Sequence, residues 1–235
     1  MSKTAIIIPA RWASSRLPGK PMIRISGKPM IQWVWEAAVF SKADNVFVAT
    51  DHGHICSYVN AIGGEVIITS PDLRTGTERV CAAYKTLSRH FDFIINIQGD
   101  EPLIDTKDIN KLIKKRKSSK ADVVTMISPL NKRQLTDRNT VKAYVDDKKI
   151  KMFTRSALYD KSKSFYKHNG IYAFTHKSLL KIDKLISQTP NEIGENLEQL
   201  RWADNNCSFD YVKVNSYAGG IDTIEDLAEI ESLLS

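Results

Sequence analysis

Residues 5–21, AIIIPARWASSRLPGKP, join a fully apolar run to a basic loop. Four consecutive apolar residues, Ala5 to Ile8, suit a strand covered on both faces. The loop that follows carries Arg11, Arg16 and Lys20, three cations within ten residues. They cannot all be buried cheaply, because an unpaired buried charge costs more than folding can spare. Ser14, Ser15 and Gly19 add hydroxyl and backbone donors and permit unusual dihedrals. Such a loop faces either solvent or a polyanion.

Outward from this stretch, apolar strands alternate with helical periods. Residues 46–50 (VFVAT), 65–69 (EVIIT) and 91–97 (FDFIINI) read as strands. Between them, helices are expected from Pro29, over residues 55–62, and after the turn-rich LRTGT at 73–77. This pattern predicts an α/β fold around a mostly parallel central sheet. The second half is less regular. Strands are expected at 123–127, 141–145, 148–154, 171–174 and 211–214, and helices at 178–185, 193–202 and 223–234. The short strands between residues 123 and 174 suggest antiparallel additions or a small embedded lobe. One domain over residues 1–235 is expected, with 123–175 forming the smaller lobe.

The chain has 235 residues with a formal net charge of +7, and 42% hydrophobic and 26% charged residues are usual for a globular protein. No apolar run approaches a membrane span, so no membrane insertion is expected. Cys56, Cys81 and Cys207 are odd in number and widely spaced, which favours a reduced, cytoplasmic setting and disfavours zinc. Part of the positive charge lies in KLIKKRKSSK, residues 111–120. Residues 108–116 also read as an amphipathic helix with Ile109, Leu112 and Ile113 on one face and solvated cations on the other. No aromatic stacking pattern accompanies the run, so no nucleic-acid partner is expected.

Ligands of open α/β sheets bind beyond the carboxyl ends of the strands. Four polar segments fall at such places: the 11–20 loop, Asp51, residues 74–79 and QGDEP at 98–102. Asp100 is either a turn residue or a magnesium ligand, since hard cations take carboxylate oxygens alongside phosphates. Asp222, just before the terminal helix, is either an N-cap or a second carboxylate of that kind. A basic loop and two strand-end carboxylates suit metal-assisted transfer at a nucleoside triphosphate. The first loop lacks both the Gly-x-x-x-x-Gly-Lys-Ser/Thr and the Gly-x-Gly-x-x-Gly pattern, which disfavours a Walker ATPase and a dinucleotide-dependent dehydrogenase.

In order along the chain, PARWASSRLPGKP, SGKPMIQWVWEAA, VATDH, TGTERV, NIQGDEP, HNGIYAF, EIGENLEQLR and GIDTIEDL resemble the 3-deoxy-manno-octulosonate (Kdo) cytidylyltransferases, or CMP-Kdo synthetases. The resemblance implies a Rossmann-like nucleotidyltransferase with a small sugar-binding lobe. It implies a homodimer, with the 123–175 strands on the dimer side, and dependence on Mg²⁺. The reaction implied is transfer of CMP from CTP to the anomeric hydroxyl of an eight-carbon ulosonic acid, releasing pyrophosphate, for lipopolysaccharide or capsule synthesis. By motif, Arg11, Arg16 and Lys20 would bind the triphosphate, with Ala10 and Ser14 lining its cradle. Arg79 and Gln98 would lie near the cytidine, and Asp100 and Asp222 would hold the metal. Lys20, Asp100 and Asp222 are the expected catalytic residues. Arg155, His168, Tyr172, Glu198 and Gln199 would face the sugar. On residues alone, His168 and Tyr172 suit the core equally well. On a continuous 193–202 helix, Ile193, Leu197 and Leu200 would share one face, with Glu195, Glu198 and Gln199 opposite.

The segment after Phe153-Thr154-Arg155-Ser156-Ala157 departs from the family. It runs on as LYDKSKSFYK, without proline, to His168. The acceptor implied is therefore Kdo or a modified Kdo such as an 8-amino form. A cytidylyltransferase for another, sialic-acid-like sugar and a non-catalytic nucleotide binder are the alternatives.

Overall fold

A computed structural model describes residues 2–13, 17–158, 164–215, 219–221 and 223–234. The first apolar run widens into β1 (Thr4–Ala10), buried at every position. A one-turn 3₁₀ helix at Lys20–Met22 and a ribbon of β2 (Arg24–Ile25) and β3 (Lys28–Pro29) follow. The expected alternation comes next: α1 (Met30–Val39), β4 (Asn45–Thr50), α2 (Gly53–Ala61), β5 (Glu65–Ile68), α3 (Gly76–Thr86), β6 (Phe93–Asn96), α4 (Thr106–Ser118) and β7 (Val123–Ser128). A short α5 (Lys132–Thr136) leads to the hairpin of β8 (Lys142–Asp146) and β9 (Lys149–Thr154). The chain ends through β10 (Phe165–Thr175), α6 (His176–Asp183), α7 (Pro190–Glu195), α8 (Glu198–Asp204), β11 (Phe209–Lys213) and α9 (Ile224–Leu234).

Among the described residues the main sheet has nine strands, in the order β5-β4-β1-β6-β10-β7-β11-β9-β8. β4 and β6 flank β1 in parallel, and β5 extends β4 the same way. β10 enters between β6 and β7, antiparallel to both. An irregularity between Asn169 and Tyr172 divides β10 into two working halves. Its second half pairs with β6, while Phe165–Lys167 pairs with β8, so β10, β7, β11, β9 and β8 close into a ring. Strand alternation sorts the core into two layers. Ala5 and Ile7 pack with Val80 and Ala83 of α3 and Leu179 of α6, whereas Ile6 and Ile8 pack with α1, α2 and α4.

Two expectations need correction. The single helix expected over 193–202 is two helices, because Asn196 takes the left-handed conformation (φ 51°) and Leu197 is extended. Ile193 is consequently 65% exposed, while Gln199 is buried with Leu197 and Leu200. The face predicted for a continuous helix does not exist. On α4, Ile109, Leu112 and Ile113 are buried as predicted, but Arg116 is not on the solvated face. It is buried, and its guanidinium donates to the carbonyls of Ser119 (2.5 Å) and Ala121 (2.7 Å), closing the helix end.

Candidate active site

A cleft of about 340 Å³ opens beyond the carboxyl ends of β1 and β6. Pro9, Ala10 and Arg11 come from the end of β1, and Gln98, Gly99 and Asp100 from the end of β6. The two strand ends touch, since Gly99 N–H donates to Pro9 O at 3.2 Å. A Cβ at position 99 would stand 2.9 Å from that carbonyl, so only glycine lets the strands close at this point. Lys20, Arg79 and Glu198 complete the set of predicted residues that the fold brings to this cleft. Ser14, Arg16 and Asp222 lie outside the described residues.

Lys20 stands on the 3₁₀ turn, and Gly19 N–H closes the loop behind it by donating to Trp12 O at 3.0 Å. Lys20 Nζ donates to Asp100 Oδ2 at 2.6 Å and to Ile221 O at 2.8 Å. Ile221 N–H in turn donates to Asp100 O at 2.9 Å, so the segment at 219–221 lies directly against Asp100. A Cβ on Gly220 would come within 3.4 Å of Asp100 Oδ1 and of Glu101 Oε1. Among the described residues, no three His, Cys, Asp or Glu side chains form a metal cage. Asp100 on the cleft wall nevertheless suits a hard divalent ion, since Mg²⁺ takes one or two carboxylates and completes its shell with phosphate oxygens and water.

Arg79 is placed differently from a free ligand-binding cation. It is 2% exposed, with NH2 2.9 Å from Asp51 Oδ2 and NH1 donating to Thr69 Oγ1 and Ser70 O. Asp51 Oδ1 also accepts from Trp12 N–H at 3.0 Å. Arg79 and Asp51 therefore anchor the basic loop to the end of β4 and to α3. Burial lowers the Arg79 pKa, and the adjacent Asp51 carboxylate opposes this.

The predicted sugar-side residues divide. Glu198 opens α8 and lines the cleft, its Oε1 accepting from Thr77 Oγ1 at 2.7 Å. Burial raises its carboxyl pKa, against the Thr75 and Thr77 hydroxyls and Arg201. His168, Tyr172 and Gln199 form a buried layer outside the cleft lining, where the Tyr172 hydroxyl donates to Gln199 Oε1 at 3.2 Å and the Tyr172 ring packs edge-on against Trp202. Arg155 also lies outside the lining. Its Nε donates to Glu195 O and its NH1 to Asn139 O, tying the β8–β9 hairpin to the end of α7.

His168 Nε2 sits 3.0 Å from Thr125 Oγ1, and burial pushes its pKa down to about 3. The group is neutral in the folded protein. Its contribution to stability is complete above the ordinary histidine pKa of about 6.5 and is lost as pH falls toward the folded value, at up to ~1.4 kcal/mol per pH unit. Between pH 7 and pH 5 the wild-type protein should lose about 2 kcal/mol from this group, by urea unfolding. His168→Gln should flatten that slope. Equal slopes in the two proteins would show that His168 is not buried neutral.

Sequence reasoning missed Asn96 and Thr77. Asn96 is fully buried near the end of an otherwise apolar strand, and a lone amide in FDFIINI is the signal that could have found it. Thr77 stands in the TGTER segment two residues before Arg79, and nothing in its local sequence sets it apart from Thr75.

A solved CMP:2-keto-3-deoxy-manno-octonic acid synthetase complexed with CTP matches with a TM-score of 0.92 at 34% identity, over 99% of this chain and 98% of that one. Fold and cleft together thus define a nucleotidyltransferase. The profile of the cytidylyltransferase family matches residues 5–213, and the chain belongs to that family. Two relatives are both 37% identical and both named 3-deoxy-manno-octulosonate cytidylyltransferase. One, from Zea mays, aligns over 99% of this chain and 81% of its own length. The other, from Parabacteroides distasonis, aligns over 100% and 99%.

Proposed function

We propose that the chain transfers CMP from CTP to the anomeric hydroxyl of 3-deoxy-manno-octulosonate or a modified form of it, releasing pyrophosphate. The observation that carries this is the end-to-end match to synthetases of this sugar, one of them solved with CTP. The cleft agrees in chemistry. Arg11 and Lys20 supply positive charge where a triphosphate would lie, and Gln98 offers an amide from the end of β6.

In-line displacement needs the acceptor hydroxyl opposite the departing pyrophosphate, and fixing that geometry accounts for much of the rate. Lys20, restrained by Asp100 and Ile221 O, is set to neutralise charge building on the leaving group without reorganising. Arg11 adds a second cation to the cleft lining. Glu198 is placed to accept from hydroxyls of the sugar. Asp100, with Asp222, would hold Mg²⁺, which when bound would offset phosphate charge and lower the pKa of the acceptor hydroxyl. A homodimer and a cytoplasmic setting belong to the same reading. Cys56, Cys81 and Cys207 are all free thiols, and no helix among the described residues is long and apolar enough to cross a membrane.

The test is pyrophosphate release from CTP and Mg²⁺ with a panel of ulosonic acids. Release with Kdo or an amino-Kdo supports the reading. Release only with a nine-carbon sialic acid, or none despite CTP binding, would overturn it.

A further inference from the structure

A buried chain of hydrogen bonds crosses from the strand end to the sugar-side carboxylate. Gln98 Nε2 donates to Asn96 Oδ1 at 3.0 Å, and Asn96 Nδ2 donates to Thr77 Oγ1 at 3.1 Å. The Thr77 hydroxyl then donates to Glu198 Oε1 at 2.7 Å. Every donor points the same way, so the relay ends on an acceptor. Asn96 is fully buried and Thr77 is 2% exposed, so water cannot replace either link. The other oxygen, Glu198 Oε2, is buried and makes no hydrogen bond. The Thr75 hydroxyl, with that of Thr77, favours the charged form of this carboxyl against the effect of burial.

We infer that Thr77 is a positioning residue that holds the Glu198 carboxylate at the cleft through Oε1, leaving its second oxygen without a protein partner, and links that carboxylate to Gln98 at the nucleotide end. The proposal rests on the function proposed above. An Asn, a Thr and a Gln give this assembly a fixed shape without adding charge, whereas a single buried carboxylate would drift toward its neutral form. The groups facing Glu198 are mixed in sign. Glu78 of α3 disfavours its ionisation, while Arg201, one turn along α8, favours it. Arg201 is shared with Glu192 of α7 at 3.3 Å and with Glu78 at 3.6 Å. Cys81 and Tyr172 also feel the carboxylate, and burial raises both of their pKa values. With Arg201 divided in this way, the Thr77 hydroxyl, 2.7 Å from Oε1, is the donor that aims the carboxylate, and together with Thr75 it favours the charged form.

Thr77→Val keeps the shape and removes the hydroxyl, leaving Asn96 Nδ2 and Glu198 Oε1 both unpaired. In the full-length protein with CTP and Mg²⁺, KM for the ulosonic acid should rise about tenfold to a hundredfold. KM for CTP should stay within about twofold of wild type, since no nucleotide contact is removed. With one donor lost, the Glu198 carboxyl binds its proton more tightly, so the acid limb of kcat/KM for the sugar should move to higher pH by about one unit. Thr77→Ser should restore both. Thr77→Ala, which cannot clash, carries the same expectation if the valine variant does not fold. Unchanged sugar KM and pH profile, equal losses for CTP and sugar, or failure of serine to rescue would each overturn the inference. Absence of transfer by the wild-type protein would instead overturn the function on which it rests.

Discussion

Asp100→Ala should lower kcat by at least about a thousandfold while leaving the melting temperature within a few degrees of wild type, a barrier increase on the order of 4 kcal/mol. Asp100 is the counter-charge of Lys20 and part of the cleft wall, and its side chain is 29% exposed, so the pair is partly screened and contributes little to folding. Without the carboxylate, Lys20 loses the 2.6 Å ion pair that fixes its aim at the leaving group. The carboxylate suited to a divalent ion disappears with it. A folded Asp100→Ala protein that turns over at near the wild-type rate would remove Asp100 from the catalytic account.

Asp51→Ala should do the opposite, with a large loss of stability. Arg79 and Asp51 are 2% and 6% exposed at their side chains and lie 2.9 Å apart. Removing one partner of a buried pair strands the other, at a cost of about 3–5 kcal/mol. For a chain of this size that corresponds to a melting-temperature fall on the order of 10 °C. The basic loop would also lose its tether, because Trp12 N–H donates to the same carboxylate. Replacing both charges, with Asp51→Ala and Arg79→Leu, should recover part of the loss. An unchanged melting temperature in the single variant would mean that Arg79 does not depend on Asp51.

Most of the sheet was legible because its strands are dominated by apolar residues. Ala5 to Ile8, VFVAT and FDFIINI can be covered on both faces only in an α/β fold, and the basic loop after the first strand marks the ligand end. What stayed hidden depends on tertiary packing. ENLEQLR consists mainly of good helix formers, so local propensity favours one helix, yet Asn196 caps α7 in the left-handed conformation and Leu197 is extended at the start of α8. Only that break lets Glu198 reach the cleft while Gln199 turns into the core. Arg116 likewise reads as surface charge, and only its fold-back onto the carbonyls of residues 119 and 121 shows otherwise. Lys20 and Asp100 were each visible as candidates. Their contact spans 80 residues of sequence and could be seen only once β1 and β6 lay side by side.

The most direct test of CMP transfer to the sugar is phosphorus NMR of the wild-type protein with CTP, Mg²⁺ and 3-deoxy-manno-octulosonate. The account predicts that the CTP signals give way to one phosphodiester resonance and an equal amount of pyrophosphate. Loss of CTP to free CMP, or persistence of CTP with the sugar present, would contradict it.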